Sequence, residues 1–176
     1  MVKIVEVEKT ISPAGNGVWV QVHDFLPENS AERDKRGRLI ALISVSDQTQ
    51  EETMKLVELG REVLAFLHEQ YFGELEQGVL ERLKASLGNV EEEFSDRVEL
   101  AVLAEVDEVL YAGICGGSRI YAFLGGKAGF IGSTNDEKIH VFSFVKKTDT
   151  RLVLGTNNFW EKFGEGRIKG LLESDR

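Results

Sequence analysis

The chain has 176 residues, of which 42% are hydrophobic and 29% are charged. This composition is typical of a globular domain and argues against a disordered or fibrous protein. The length is sufficient for one hydrophobic core and too short for two ordinary domains. Residues 1–176 are therefore interpreted as a single domain.

The net charge of −9, from 21 basic and 30 acidic residues, limits the classes of partner. An acidic chain repels phosphate backbones and releases no counterions, so no nucleic-acid binding is expected. The longest apolar runs are far shorter than the roughly 20 residues that cross a bilayer, so no membrane partner is expected either. One cysteine, Cys115, excludes an internal disulfide, and the first residues lack a secretory leader pattern. These features predict a cytoplasmic location.

The N-terminal residues alternate apolar and polar side chains with the two-residue period of strands. Three strands are predicted there, with loops between them: VKIVEVEK, GVWVQVHDF and RLIALISVS. After Asp47 the period becomes helical, and a capping box of Thr49 and Glu52 is predicted to begin this helix. Two helices are predicted, with the apolar faces Val57, Leu64, Leu67 and Tyr71 in the first and Leu75, Val79, Leu83 and Leu87 in the second.

The strand period returns at Val98 and continues through most of the remaining chain. Five strands are predicted: VELAVLAEV, VLYAGIC, RIYAFL, IHVFSFV and RLVLGT. A hairpin turn is predicted at Gly125-Gly126, and the final EGRIKGLLESDR is interpreted as either a short helix or a frayed end. The order of strands, two helices and further strands favours an α+β sandwich over alternating βαβ units.

Several residues belong to types that bind metals or act in catalysis in other proteins, but they have simpler structural interpretations here. The three histidines, His23, His68 and His140, lack metal-ligand spacing. Cys115 lies in an apolar strand and is interpreted as a small buried side chain. The acidic run Glu91–Glu93 is interpreted as a solvated turn at a helix end. The GGKAG segment lacks the spacing and the following helix of a phosphate loop.

A sequence in the second half, LYAGICGGSRIYAFLGGK, resembles the LYVANVGDSRAYLLRDGK hairpin of the metal-dependent serine/threonine protein phosphatases of type 2C, the PPM family. Two further stretches resemble the family in the same order. GRLIALISVSDQTQEETMKLVELGREVL is similar to its first metal loop and long helix, and DTRLVLGTNNFWEKF is similar to its GDRLLLCSDGLWEVL segment. The resemblance implies a four-layer αββα sandwich of antiparallel sheets flanked by helices, in a small or truncated version.

This sequence departs from the family at the positions that the resemblance assigns to metal binding and catalysis. PPM phosphatases hold Mg²⁺ or Mn²⁺ with aspartates, and these ions activate a bridging water. Here the aligned degenerate pocket positions are Ser44, Val45, Gly117, Asn157 and Asn158. The N-terminal acidic motif aligns at best with Asn16, Gly17 and Val18, and the family's closing Asp-Asn element has no counterpart. Gly117 is interpreted as a loop residue that preserves the hairpin's backbone geometry.

The leading hypothesis is a catalytically inactive pseudophosphatase domain that acts in protein interaction, regulation or ligand sensing, with no catalytic residue, metal or cofactor. The alternative is a divergent Mg²⁺- or Mn²⁺-dependent phosphatase that uses substitute carboxylates: Asp47 above all, or Asp24 or Asp149. A third interpretation is a domain of a longer or homo-oligomeric protein, in which an open sheet edge pairs with another chain.

Three large side chains also have structural interpretations. Arg119 is predicted to pack its stem and pair with a carboxylate rather than to contact phosphate. Trp19 and Trp160 are predicted to be packing aromatics rather than ligand-stacking residues.

Overall fold

In the part of the chain that the structure describes, eight strands and five α-helices are connected by turns and loops. The computed structural model describes residues 6–10, 17–46, 53–73, 76–132 and 138–174. The strands are β1 (Val18–Phe25), β2 (Arg38–Ser46), β3 (Val98–Val106), β4 (Val109–Cys115), β5 (Arg119–Leu124), β6 (Lys127–Ile131), β7 (Ile139–Val145) and β8 (Arg151–Gly155). The helices are α1 (Ser30–Arg36), α2 (Thr53–Phe72), α3 (Val79–Phe94), α4 (Asn157–Phe163) and α5 (Glu165–Ser174).

The strands form two antiparallel sheets. The larger sheet has the order β1-β2-β3-β4-β7, and the smaller one has the order β6-β5-β8. Alternation of side chains across each strand lets one strand contribute to two apolar layers. In β2, for example, Ile43 and Val45 face the helices whereas Ile40 and Leu42 face the second sheet.

Three apolar cores separate four layers. The first core joins α2 and α3 to the larger sheet and includes Val63, Leu67 and Leu87. The second lies between the sheets and includes Leu103 and Ile120. The third joins the smaller sheet to α4 and α5 and is built on Tyr121, Trp160 and Ile168. The α+β class and the four-layer αββα order predicted from the sequence are confirmed.

Helix α2 buries two of its four predicted apolar positions, Leu67 and Tyr71. Its buried positions are Leu56, Gly60, Val63, Leu67 and Tyr71. Val57 and Leu64 are half-buried beside this face, because the i, i+4 ridge that meets the sheet begins at Leu56. The predicted capping box of Thr49 and Glu52 lies outside the described residues.

Glycine at position 60 permits the close approach of β1 to α2. A Cβ atom on Gly60 would lie 2.0 Å from Cζ3 of Trp19. Trp19 therefore packs against the helix at Gly60, which supports its interpretation as a packing aromatic. Trp160 is also buried, and its indole nitrogen donates to the backbone oxygen of Gly155 at 3.0 Å.

Most strand bounds match the prediction, and the predicted hairpin turn is present. Gly125 and Gly126 both have positive φ, at 55° and 81°, as a tight hairpin turn requires. The turn joins β5 to β6, a strand that was not predicted because its KAGFI sequence is short and contains glycine. The C-terminal EGRIKGLLES segment is helical, with Ile168 buried.

Three local predictions were wrong. Residues 6–9, the described part of the predicted first strand, are not in a strand. The predicted loop at residues 26–37 contains α1, which begins where the Asn29 side chain accepts a hydrogen bond from the backbone nitrogen of Ala31 at 2.9 Å. The acidic run Glu91–Glu93 belongs to α3 rather than to a turn.

None of the helices in the described part of the chain is both long enough and apolar enough to cross a membrane.

Candidate functional site

Three of the predicted pocket positions meet at one end of the sandwich. Ser44 lies directly opposite Glu99 in the β2–β3 ladder. Gly117 lies in the turn between β4 and β5, and Asn157 begins α4. A Cβ atom on Gly117 would lie 3.1 Å from Cβ of Asn157 and 3.3 Å from the carboxylate of Glu99. We call this group of Ser44, Glu99, Gly117 and Asn157 the pocket end.

The other predicted positions lie elsewhere. Val45 is completely buried in the core between the larger sheet and the helices, so its side chain faces away from Ser44. Asn158 is exposed on α4. Asp47, the predicted substitute ligand, lies outside the described residues, as does Asn16 of the N-terminal acidic motif.

Glu99 is the pocket residue that sequence reasoning missed. Its Oε2 accepts a hydrogen bond from the backbone nitrogen of Asn157 at 2.9 Å. Its half-buried carboxylate thereby satisfies one of the free N–H groups at the start of α4. The signal in the sequence was a carboxylate near the start of a strand whose central residues are all apolar, VELAVLAEV.

Two further hydrogen bonds form at the start of α4. The Thr156 side chain accepts from the backbone nitrogen of Phe159 at 3.3 Å. The Asn157 side-chain nitrogen donates to Oε1 of Glu161 at 2.7 Å. The hydrogen bond from the Asn157 backbone to Glu99 joins α4 to the larger sheet, which makes the pocket end a structural joint.

Gly117 lies in a tight space beside Asn157 and Glu99. Positive φ in this turn belongs to Gly116, at 69°, and Gly117 is not among the residues with positive φ. The left-handed conformation that favours glycine therefore lies at Gly116, and the role predicted for Gly117 in the hairpin geometry stays a prediction. A side chain at position 117 would meet Glu99 and Asn157, and a carboxylate there would place two negative charges side by side.

Ser118 and Arg119, which follow this turn, have different environments. Ser118 is 2% exposed, and its hydroxyl has no hydrogen-bond partner among the described residues. The guanidinium of Arg119 lies 5.7 Å from the ring centroid of Phe130, a cation–π arrangement. Among the described residues no carboxylate pairs with Arg119, so the predicted ion pair is replaced by this ring contact.

Asp24 and Asp149 lie at the opposite end of the sandwich. Asp24 pairs with Ile40 in the β1–β2 ladder, four residues from Ser44, or about 13 Å along the strand. Its two oxygens accept from Arg38 at 2.7 and 2.8 Å, and this guanidinium lowers the pKa of the Asp24 carboxyl. Asp149 is exposed in the turn before β8. Neither carboxylate reaches the pocket end.

Cys115 and Glu91 form a buried contact next to the turn. The Cys115 thiol donates to Oε2 of Glu91 at 3.3 Å, and Lys138 donates to Oε1 at 2.7 Å. Burial, followed by the hydrogen bond to Glu91, raises the pKa of the Cys115 thiol to about 12. A thiol that stays protonated is a poor nucleophile, in agreement with the interpretation of Cys115 as a packing residue.

The donor set at the pocket end does not fit a two-metal centre. Mg²⁺ and Mn²⁺ prefer several carboxylate and carbonyl oxygens, and a pair of ions needs carboxylates to balance its charge. The described part of the pocket end offers one carboxylate, Glu99, which already caps α4. Across the described ranges no group of three or more His, Cys, Asp or Glu side chains is placed to hold a metal ion.

No family model and no curated protein matches the sequence. Solved structures do match the fold. A bacterial serine phosphatase aligns with 90% of this chain and 84% of its own, at a TM-score of 0.56 and 13% identity. The Mycobacterium tuberculosis serine/threonine phosphatase PstP aligns with 89% of this chain and 84% of its own, at 0.55 and 13%.

The phosphatase domain of SpoIIE from Bacillus subtilis also matches, with 92% of this chain and 69% of its own, a TM-score of 0.51 and 13% identity. The chain has the fold of the PPM-type serine/threonine phosphatases. At such low identity the likeness concerns the fold alone. A further PstP structure, with a TM-score of 0.52, is a complex with two manganese ions, whereas the pocket end here has the single carboxylate described above.

Proposed function

We propose that this chain is a phosphatase-like domain without metal-dependent hydrolysis, which acts by binding a protein partner. The observation that supports this most strongly is the pocket end, where the PPM-like fold is retained but Ser44, Gly117 and Asn157 occupy positions that the resemblance assigns to metal ligands. Neutral hydroxyl and amide oxygens compensate poorly for the hydration that Mg²⁺ must lose.

Glu99 does not replace the missing ligands in this proposal. Its carboxylate accepts from the Asn157 backbone, and a metal ion at Oε2 would have to compete with that hydrogen bond. The space that a family aspartate would occupy at position 117 is bounded by Glu99 itself. The pocket end is therefore better suited to holding two layers of the fold together than to polarising a phosphoryl group.

The test is a calorimetric titration of Mn²⁺ and Mg²⁺ into the purified chain, with hydrolysis of p-nitrophenyl phosphate followed on the same sample. We expect no heat of binding up to about millimolar metal, where weak carboxylate sites begin to fill, and no turnover above the uncatalysed rate. A metal-dependent phosphatase of the same fold, assayed in parallel, verifies the reagents.

Micromolar metal binding together with turnover would contradict the proposal and favour the divergent enzyme. Two variants then locate the rebuilt site. Loss of turnover in Asp47→Asn would assign the reaction to the substitute ligand predicted from the sequence, and loss in Glu99→Gln would assign it to the carboxylate at the pocket end.

A further inference from the structure

Helix α5 buries very little of its surface. Eight of its ten residues are exposed, whereas Ile168 is buried and Leu172 is half-buried. Helix α3, in comparison, buries six of its 16 residues. Isolated helices shorter than about 12–15 residues are marginal in water, so α5 depends on packing for its stability. That packing rests on two aliphatic side chains that lie one helical turn apart.

The sequence of α5 does not compensate for this sparse packing. Gly166 and Gly170 lie within the helix, where glycine is less favourable than alanine. Among the described residues, a Cβ atom at either position would meet nothing within 4 Å. Gly60 of α2, in contrast, leaves room for the Trp19 ring. The two glycines of α5 therefore weaken the helix without improving how it packs.

Helix α4 is held to both sheets, whereas α5 begins after a bend. The Trp160 indole nitrogen donates to the backbone oxygen of Gly155 at 3.0 Å, and the Asn157 backbone donates to Glu99 at 2.9 Å. Gly164, between the two helices, has a φ of 69°, a value that favours glycine. The bend at Gly164 is therefore the point at which α5 can move while α4 stays in place.

The surface beneath α5 is aromatic. The rings of Tyr121 and Phe130 are 5.1 Å apart, and those of Phe130 and Trp160 are 4.9 Å apart, both edge to face. Ile168 and Leu172 pack against this cluster, which also includes Ala128, Val153 and Phe159. Without α5 the cluster loses the two aliphatic side chains that cover it, and an apolar groove opens on the smaller sheet.

The groove also contacts both ends of the helix that fills it. Arg151 of β8 donates to the backbone oxygen of Leu172, in the last turn of α5. A cation at this place complements the negative end of a helix dipole. At the other end, burial and then the neighbouring carboxylate of Glu165 raise the pKa of Tyr121. The groove therefore fits a helix in one direction, with its C-terminal end at Arg151.

We propose that α5 is a displaceable cover, and that the groove beneath it binds a helix of the protein partner that carries two aliphatic residues one turn apart. Helix α5 itself shows the fit, because Ile168 and Leu172 have this spacing. Arg151 supplies charge complementarity to the C-terminal end of the incoming helix. This inference rests on the proposed partner-binding function and deepens it, because it names the surface and the class of partner.

Hydrogen exchange of the whole chain tests whether α5 opens. Amides of α5 should exchange at least about tenfold faster than those of α3, because local opening is easiest where few apolar contacts are buried. Equal protection of the two helices would contradict a displaceable cover.

The binding probe is a fluorescein-labelled peptide with the sequence of residues 165–174, in which Gly166→Ala and Gly170→Ala raise the helix propensity. The control peptide carries Ile168→Asp and Leu172→Asp in addition. Binding to the whole chain is measured by fluorescence anisotropy. We expect saturable binding of the first peptide and at least about tenfold weaker binding of the control, the scale of one buried aliphatic side chain.

The decisive variant is Gly166→Ala with Gly170→Ala in the whole chain. Both alanines favour the helix and neither adds a contact, so the population with α5 displaced should fall by about tenfold. Exchange of α5 amides should slow by this factor. The affinity for the peptide should weaken by the same factor, because apparent affinity follows the fraction of molecules that can bind.

Gly88→Ala is the matched control. It makes the same change inside α3, where the added Cβ would lie at an ordinary 3.9 Å from Cδ1 of Ile139. It should leave both α5 exchange and peptide affinity unchanged.

Three further results would overturn the proposal. The first is no binding of the peptide, and the second is slower α5 exchange in the double alanine variant with unchanged peptide affinity. The third is a dimer in sedimentation that is held by exchanged α5 helices, which would assign the groove to a second copy of the chain. None of these measurements involves a metal, so failure of the cover proposal is distinguishable from failure of the proposed loss of hydrolysis.

Discussion

At the scale of single residues, the pocket end depends on one carboxylate and one missing side chain. Glu99 holds the backbone of Asn157, and Gly117 leaves the space that this carboxylate occupies. The two residues are therefore coupled. A carboxylate at position 117 and a carboxylate at position 99 compete for the same volume and repel each other.

This coupling predicts the effect of Gly117→Asp. The aspartate would crowd Asn157 and Glu99, so we expect the free energy of unfolding to fall by about 1–3 kcal/mol, the usual cost of overfilling a packed site. The measurement is urea denaturation of the purified variant. Glu99→Ala alone should cost about 1 kcal/mol through the lost helix cap.

The double variant Gly117→Asp with Glu99→Ala tests whether the two positions interact. We expect it to be more stable than the sum of the single effects, because the alanine removes both the collision and the like charge. Strict additivity would show that Gly117→Asp acts through some contact other than Glu99.

At the scale of elements, the helices show how packing overrides local preference. Glycine is normally unfavourable inside a helix by roughly 0.5–1 kcal/mol relative to alanine. Both α2 and α3 contain an internal glycine, Gly60 and Gly88. A Cβ on Gly60 would lie 2.0 Å from the ring of Trp19, whereas a Cβ on Gly88 would lie 3.9 Å from Cδ1 of Ile139, an ordinary contact.

The two glycines should therefore respond in opposite directions to alanine. Gly60→Ala should destabilise the chain by about 1–3 kcal/mol, because Trp19 and α2 must separate. Gly88→Ala should stabilise it by up to about 1 kcal/mol through helix propensity. Thermal and urea unfolding of both variants provide the comparison. A gain in stability for Gly60→Ala would mean that the β1–α2 contact is looser than described.

At the scale of the whole molecule, the contact of β1 with α2 contains two histidines that resist protonation. The rings of His23 and His68 are 6.5 Å apart, and His68 packs against Phe25 and Phe72. Burial, and then the neighbouring charge of His68, lower the pKa of His23 below its ordinary value of 6.5. Burial also lowers the pKa of His68, against the opposing charge of Glu32.

These shifts predict acid sensitivity between about pH 7 and 5. The unfolded chain takes up protons on these histidines near pH 6.5, before the folded chain does, so the free energy of unfolding falls as pH falls through this range. The lowered pKa of Asp24 adds a separate loss at lower pH, below its ordinary value of 3.8. Urea unfolding at a series of pH values measures both.

The double variant His23→Phe with His68→Phe isolates the histidine contribution. Phenylalanine preserves the aromatic packing and removes both titrating groups, so stability should vary less between pH 5 and 7 than in the parent chain. An unchanged slope in this range would assign the pH dependence to other residues.

The sequence by itself determined the type of most elements, because period and burial follow from the pattern of side chains. Strands β3, β4, β5 and β7 have the bounds that alternation predicted. Helix α1 escaped prediction because SAERDKR has no apolar period, and its formation depends on the Asn29 cap and on hydrogen bonds from Arg33 to the backbone oxygen of Pro27 at 2.9 and 3.0 Å.

Only the tertiary structure decided what surrounds Gly117. Alignment of short motifs identified Ser44, Gly117 and Asn157 separately. Their proximity in space depends on strand register and on the packing of α4. Glu99 joined them because β3 places it opposite Ser44, a relation between residues far apart in the sequence. Local sequence patterns show which residues are apolar or form turns. A site, in contrast, consists of contacts between residues that only the folded chain brings together.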